Sequence, residues 1–223
     1  SLSADGSIVA IGAWGNNSQT GHVRVYQYDS TKTTPDTVES SATFGPVGWN
    51  RLGHDIDGEA SSDNSGRSVS LSADGLTVAI GAIGNNSNRG HVRVYQREYT
   101  KTTAVTDQSS ATFGPVGWNR VGHDIDGEAS SDRSGMSVSL SADGSVVAIG
   151  APYNTSNTGH VRVYQYDSTK TTAVTDQSSA TFGPVGWNRV GQDFDGEAGG
   201  DYSGHSVSLS ADGLTVAIGA SYN

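Results

Sequence analysis

Apolar and small polar residues alternate along much of the chain. In Ser68-Val69-Ser70-Leu71-Ser72 every second position is apolar, and Thr77-Val78-Ala79-Ile80-Gly81-Ala82 keeps the same period. His91-Val92-Arg93-Val94-Tyr95 repeats it a third time. A period of two puts alternate side chains on opposite faces of a strand. Ala73-Asp74-Gly75 separates the first two runs, and Asp-Gly between alternating runs predicts a tight hairpin. A polar loop, Gly84 to Arg89, precedes the third run, and a Ser/Thr-rich stretch, Thr100 to Thr112, follows it. Phe113 to Val121, with Trp118, predicts a fourth, outer strand. Pro115 suits an edge there, because proline cannot donate to a ladder. No segment combines a 3.6-residue period with caps, so almost no helix is expected.

This pattern recurs. Ser-Leu-Ser-Ala-Asp-Gly begins at Ser1, Ser70, Ser139 and Ser208, a period of 69 residues without insertion or deletion. The units are 1–69, 70–138 and 139–207, and residues 208–223 start a fourth. Both termini fall inside the repeat, so the expectation is a window onto a longer array. A long, strict period is the mark of propellers, solenoids or arrays. Four strands per unit is the arithmetic of a β-propeller blade, and the expected fold is all-β, a tandem of four-stranded blades. A β-solenoid or a string of small β-sandwiches is the alternative. In the blade reading, Val69, Leu71, Val78, Ile80, Val92 and Val94 fill the gap between neighbouring sheets. Trp49, Trp118 and Trp187 pack once per unit in the outer half.

Particular residues resemble a known family. Ser65-Gly66-Arg67-Ser68-Val69, then Val147-Ala148-Ile149-Gly150-Ala151-Pro152 and Gly159-His160-Val161-Arg162-Val163-Tyr164, are similar to the FG-GAP repeat of integrin-α-type propellers. The match covers about half of each unit. The Ser-Ala-Asp-Gly hairpin also resembles the first hairpin of WD-type blades and a shortened sialidase Asp-box. The FG-GAP resemblance implies a propeller with calcium loops that binds a protein or glycan. One departure stands out: the family's calcium loop lies between the first and second strands, where this chain has only the turn at Asp74-Gly75.

An acidic loop appears instead before the first strand of each following unit. It carries Asp55, Asp57, Glu59 and Asp63, then Asp124, Asp126, Glu128 and Asp132, then Asp193, Asp195, Glu197 and Asp201. Closely spaced carboxylates repel unless a cation or hydrogen-bond donors offset them, and calcium takes six to eight oxygens. These acids are therefore the candidate calcium ligands, and a solvated Asp-Gly turn is the competing reading. Gly at the fourth loop position and Ala at the sixth depart from the family pattern.

Asn16, Asn85 and Asn154 head Asn-x-Ser sequons in a loop expected to be exposed, making them candidate N-glycosylation acceptors. The Ser/Thr runs at 30–43, 100–112 and 169–181 are O-glycosylation candidates or polar loops. His22, His91 and His160 read as structural strand residues. His54 and His123 become Gln192 in the third unit, so no per-unit chemistry is assigned there. Arg24, Arg93 and Arg162 are expected to bridge units or face solvent.

A net charge of −10 argues against nucleic acid or an anionic membrane surface as partner. No apolar run reaches membrane-spanning length, and cysteine is absent, so no disulfide is available. No nucleophile elbow, phosphate loop or metalloprotease motif is present. Near-identical units also give a central pocket no asymmetry, so the chain is not expected to be an enzyme. The expected role is an extracellular or cell-surface structural or adhesive repeat whose partners are copies of itself or further repeats. The alternative is a calcium-supported propeller binding a protein or glycan ligand.

Overall fold

The structure, a computed structural model described over residues 1–222, follows the period-two reading closely. The first sheet contains β1 (Ile8–Gly12), β2 (His22–Tyr28), β3 (Trp49–Arg51) and β4 (Ile56–Asp57). The second contains β5 (Ser65–Leu71), β6 (Thr77–Ala82), β7 (His91–Arg97), β8 (Trp118–Arg120) and β9 (Ile125–Asp126). The third repeats it as β10 (Ser137–Leu140), β11 (Val146–Ala151), β12 (His160–Tyr166), β13 (Trp187–Arg189) and β14 (Phe194–Asp195). A hairpin, β15 (Ser203–Leu209) with β16 (Val216–Ala220), ends the described chain. All named strand pairs are antiparallel.

Local chemistry closes each hairpin. Gly75 takes φ +71°, which favours glycine. Ser72 Oγ donates to Asp74 Oδ1 at 2.6 Å and accepts from the Thr77 amide at 2.9 Å. The expected fourth strand is shorter than predicted and divided. β8 pairs with the far end of β7, and β9 pairs with its start. Pro115 lies in the turn before β8, where the Trp118 amide donates to its carbonyl at 3.1 Å, so it ends a loop rather than marking a strand edge. The strands of the second sheet begin at Ser65, so a boundary at residue 70 falls within β5. Among the described residues helix is confined to four-residue turns at Asn16–Gln19, Asn85–Asn88 and Asn154–Asn157, and each contains left-handed residues.

Successive sheets pack face to face. Ile8, Ala10, Val23, Val25 and Ile56 of the first sheet meet Leu71, Val78, Ile80, Tyr95 and Trp118 of the second in one apolar core. The next junction repeats this with Ala79, Val92, Val94 and Ile125 against Leu140, Val147, Ile149, Tyr164 and Trp187. Alternation therefore gives the second sheet two buried faces, one toward each neighbour. Polar ties run at the same period. The Ala4 amide donates to Ala73, Ala73 to Ala142, and Ala142 to Ala211, each at 2.8 Å. Ser1, Ser70 and Ser139 accept from the amides of Leu71, Leu140 and Leu209 through Oγ. Trp118 Nε1 donates to Leu52 O at 2.9 Å, and Trp187 Nε1 to Val121 O at 3.1 Å. The small residues of the first two strands allow this approach: a Cβ on Gly81 would sit 2.1 Å from the Gly135 carbonyl of the next sheet.

Gly81→Ala must therefore push two sheets apart. Its expected cost is about 1–3 kcal/mol, the usual range for overpacking. Gly15→Ala, which meets nothing within 4 Å, should stay within about 0.5 kcal/mol of the parent in urea denaturation.

Candidate functional site

A buried arginine in a strand where it alternates with valines needs countercharge close by. β7 places His91, Arg93 and Tyr95 on its face toward the preceding sheet, with Val92 and Val94 on the opposite face. Glu59 crosses that junction and pairs with Arg93. Arg93 also donates to Asp124 Oδ2 of its own unit at 2.7 Å. Asp124 Oδ1 in turn accepts from Arg120 at 2.6 Å. Gln108 donates to Glu59, and Asn85 Nδ2 reaches its other oxygen at 3.3 Å. Both guanidinium groups lie over Phe113, with ring-centroid distances of 5.4 and 4.7 Å. Burial alone would weaken the Arg93 charge; hydrogen bonding to Asp124 and the surrounding carboxylates reverse that and hold it firmly protonated. Asp124 lies below its ordinary pKa because the attraction and hydrogen bond of Arg93 outweigh its burial.

The next junction has the same plan. Glu128 pairs with Arg162, Arg162 donates to Asp193 at 2.7 Å, and Arg189 donates to Asp193 at 2.7 Å. Gln177 donates to Glu128 at 2.7 Å. The first sheet keeps part of this network. There Arg24 and Arg51 share Asp55, and Glu39 lies 3.7 Å from Arg24.

The twelve candidate calcium ligands thus divide into four roles. Asp55, Asp124 and Asp193 are held by arginines of their own unit. Glu59 and Glu128 reach the next unit. Asp63, Asp132 and Asp201 fold back onto the amides one and two positions after the loop glycine: Asp63 accepts from Ala60 at 2.9 Å and Glu59 at 3.1 Å. Asp57, Asp126, Asp195 and Glu197 are exposed. Although these side chains reach solvent, partial desolvation by the surrounding loop and the neighbouring Asp55 raise the Asp57 pKa, and partial desolvation likewise raises Asp126.

Ligating side chains come together as His22, Asp55 and Asp57; Glu59, His91 and Asp124; and Glu128, His160 and Asp193. These groups differ from the predicted loop sets, and guanidinium groups engage their carboxylates. Calcium takes six to eight oxygens; each of these groups offers three side-chain ligand atoms, one of them an imidazole nitrogen. For Asp55, Asp124, Asp193, Glu59 and Glu128 the countercharge comes from arginine.

The sequons divide as well. Asn16 is exposed, but Asn154 is buried and its amide donates to Glu128 at 3.3 Å. The exposed-loop expectation therefore fails at Asn154, because the preceding unit's acidic loop covers it. The bridging role expected for Arg93 and Arg162 is realised. Glu59 and Glu128 as their partners were not predicted, although a charged residue alternating with valines already demanded an opposite charge from outside the strand.

No protein-family model matches this sequence, and no curated protein matches it.

Replacing Glu59 with Gln leaves Arg93 with one carboxylate. The expected loss is about 1.5–3 kcal/mol, as for hydrogen bonds to charged groups, measured by urea denaturation. Glu197→Gln has no partner on the described chain and should change stability by less than about 0.5 kcal/mol. Equal effects at the two positions would contradict the junction role.

Acid should weaken the same junctions. Burial lowers His91 and His160 from their ordinary 6.5; Arg93 and Arg162 also lower them, while Glu59, Asp124 and Asp126, or Glu128, Asp132 and Asp193, oppose the shift. Both imidazoles are therefore neutral when folded, and unfolding takes up protons below 6.5. Their contribution is complete above that value and is lost as pH falls from it toward the lowered folded values. Melting temperature should fall as pH drops below about 6.5, and His91→Gln with His160→Gln should flatten this limb.

Proposed function

We propose that the chain is a structural or adhesive section of a repeat array at the cell surface or outside the cell, built from propeller-type blades and without catalytic activity. The carrying observation is that the two end faces of the stack are halves of the internal junction. Leu71 and Leu140 are 7% exposed, while their counterpart Leu2 is 61% exposed. Ile56 and Ile125 are 2% exposed, while Phe194 at the same position is 46% exposed. A unit of the same sequence would offer each end a face like those that meet at the internal junctions. The partner is therefore another copy of this chain or a further repeat of it. Such head-to-tail contact is heterologous: it generates a ring if the rotation closes and a filament if it does not.

Blade geometry is supported by the four-layered strand order and by contacts that run between consecutive first strands. A second reading, ligand binding, is supported by a groove of about 330 Å³ between the second and third sheets, lined by Asp126, Thr175, Gln177, Phe182 and Pro184. Its ligand would be a protein or glycan held at each junction.

Electron microscopy of the purified chain across a concentration series separates these readings. Elongated regular particles, or rings of fixed copy number, are expected from the array. Isolated monomers at all concentrations would count against it. Melting in millimolar calcium should match melting in chelator, because no cation is required at the junctions. A rise with calcium would favour the calcium-supported alternative.

A further inference from the structure

The three complete units differ at few positions, and the differences are not spread evenly. At only four of the 69 positions does every unit carry a different residue. One of these is buried in the core and stays β-branched, as Ile8, Thr77 and Val146. The other three change chemical character each time: Trp14, Ile83 and Pro152; Asn64, Arg133 and Tyr202; Arg67, Met136 and His205. Exposure alone does not produce this pattern. Thr33 and Thr34 are exposed, as are their counterparts Thr102 and Thr103, yet this pair is the same in every unit.

The fold gathers the three positions at one end of the sheets, where the first strand begins and the second finishes. The Arg67 amide donates to Asn64 O at 3.1 Å and closes a turn as β5 starts; Met136 with Arg133, and His205 with Tyr202, repeat it. Gly84, two residues past β6, donates to Asp63 O at 2.9 Å, which sets the exit of the second strand beside that turn. Tyr153 and Tyr222 are held in the same way by Asp132 O and Asp201 O. Side chains meet there. Arg67 lies over the Trp14 ring at 5.9 Å and Arg133 over Tyr153 at 4.4 Å. Tyr153, Tyr202 and Tyr222 follow one another at 5.3 and 5.5 Å between ring centroids. Among the described residues neither Arg67 nor Arg133 has a carboxylate partner, in contrast to Arg93 and Arg162. The backbone is left-handed at Asn64, Arg133 and Tyr202, with φ +56°, +53° and +55°. Asparagine tolerates that region, whereas arginine and tyrosine are uncommon in it. Two of the three units thus place a large side chain here against the local backbone preference.

We propose that this row is the contact surface for a second, different protein, one whose face sets apolar or aromatic side chains beside carboxylates. Tryptophan, tyrosine, arginine and methionine are enriched in protein interfaces, and they supply most of the large side chains of the row. The three positions hold no Asp, Glu or Lys in any unit, although the chain carries a net charge of −10. The two unpaired guanidinium groups call for acidic groups on the partner. Unequal residues on equal units suit a surface that does not repeat. A regular polysaccharide would be met by the same subsite in each unit. The junction faces that build the array stay nearly constant, so this contact stands apart from the array reading and from the groove between the sheets.

Two measurements test the proposal. Arg133→Asn and Tyr202→Asn put the first unit's residue into the same left-handed position. Melting temperature should hold or rise in both, because the backbone strain is relieved. A fall of several degrees would make these side chains structural and overturn the proposal. In the second measurement a displayed library of random peptides, linear and disulfide-closed, is selected on the immobilised full chain. Peptides with Asp or Glu beside aromatic or aliphatic residues should dominate. Each should bind about tenfold or more weakly, as for interface hot spots, to a double variant at one end of the row, Trp14→Ala with Arg67→Ala, or at the other, Tyr153→Ala with Tyr202→Asn. Thr102→Ala with Thr103→Ala should leave binding unchanged. Selected peptides that bind both row variants as tightly as the parent overturn the proposal, and so does a library that enriches no sequence. Binding to arrayed glycans that the row variants lose, with no peptide selected, also overturns it, because the row then reads sugar.

Discussion

Each sheet is apolar on both faces, and neither face is stable in water. Val78 and Ile80 point toward one neighbour, while Val92 and Val94 point toward the other. Burying side chains of this size is worth about 1.5–3 kcal/mol each, so covering both faces dominates the energetics of a unit. A single unit has only its own four strand layers and cannot cover itself. Stability therefore resides in junctions, as in other repeat architectures where neighbours supply each other's core.

The glycines and serines of the inner strands follow from that requirement. Two sheets can bury valines between them only if their backbones approach closely at one end. Gly81 against the Gly135 carbonyl leaves no room for a methyl group, and Ser68 Oγ donates to that same carbonyl at 2.7 Å. At the outer end Trp118 and Trp187 pack into the junction with their indole nitrogens satisfied by the preceding unit. The arginine network occupies the region between. Arg93 is buried in a core and is tolerable there because two carboxylates, one from each side of the junction, surround it. A hydrophobic replacement could match its stability. The paired charges instead specify which faces meet and in what register.

Much of the fold was legible from local chemistry. The alternation in residues 77–82 defined β6 at its observed limits, and the Asp-Gly turn lies where predicted. Phe113 to Val121 was harder to read. Its β-rich composition suggests one continuous strand, but Gly114 and Gly117 take positive φ and Pro115 closes a turn, leaving only Trp118–Arg120 in the ladder. The acidic loop was legible as a place where charge must be compensated, but not as to what compensates it. Carboxylate spacing along a chain is the same whether the countercharge is a metal ion or an arginine some thirty residues away in the next sheet.

Sequence alone determined the 69-residue period, the all-β class, the hairpin turns and the residues that line the sheet faces. These depend on local backbone preferences and on a side-chain period of two, both of which act within a few residues. Only the tertiary structure decided that Glu59 leaves its own loop for Arg93, that Asp63 turns back onto the loop's amides, and that Asn154 is covered. It alone also brought Tyr153 to Tyr202. Those outcomes depend on which sheet face meets which, a choice made by packing across the junction and invisible in any single stretch of chain.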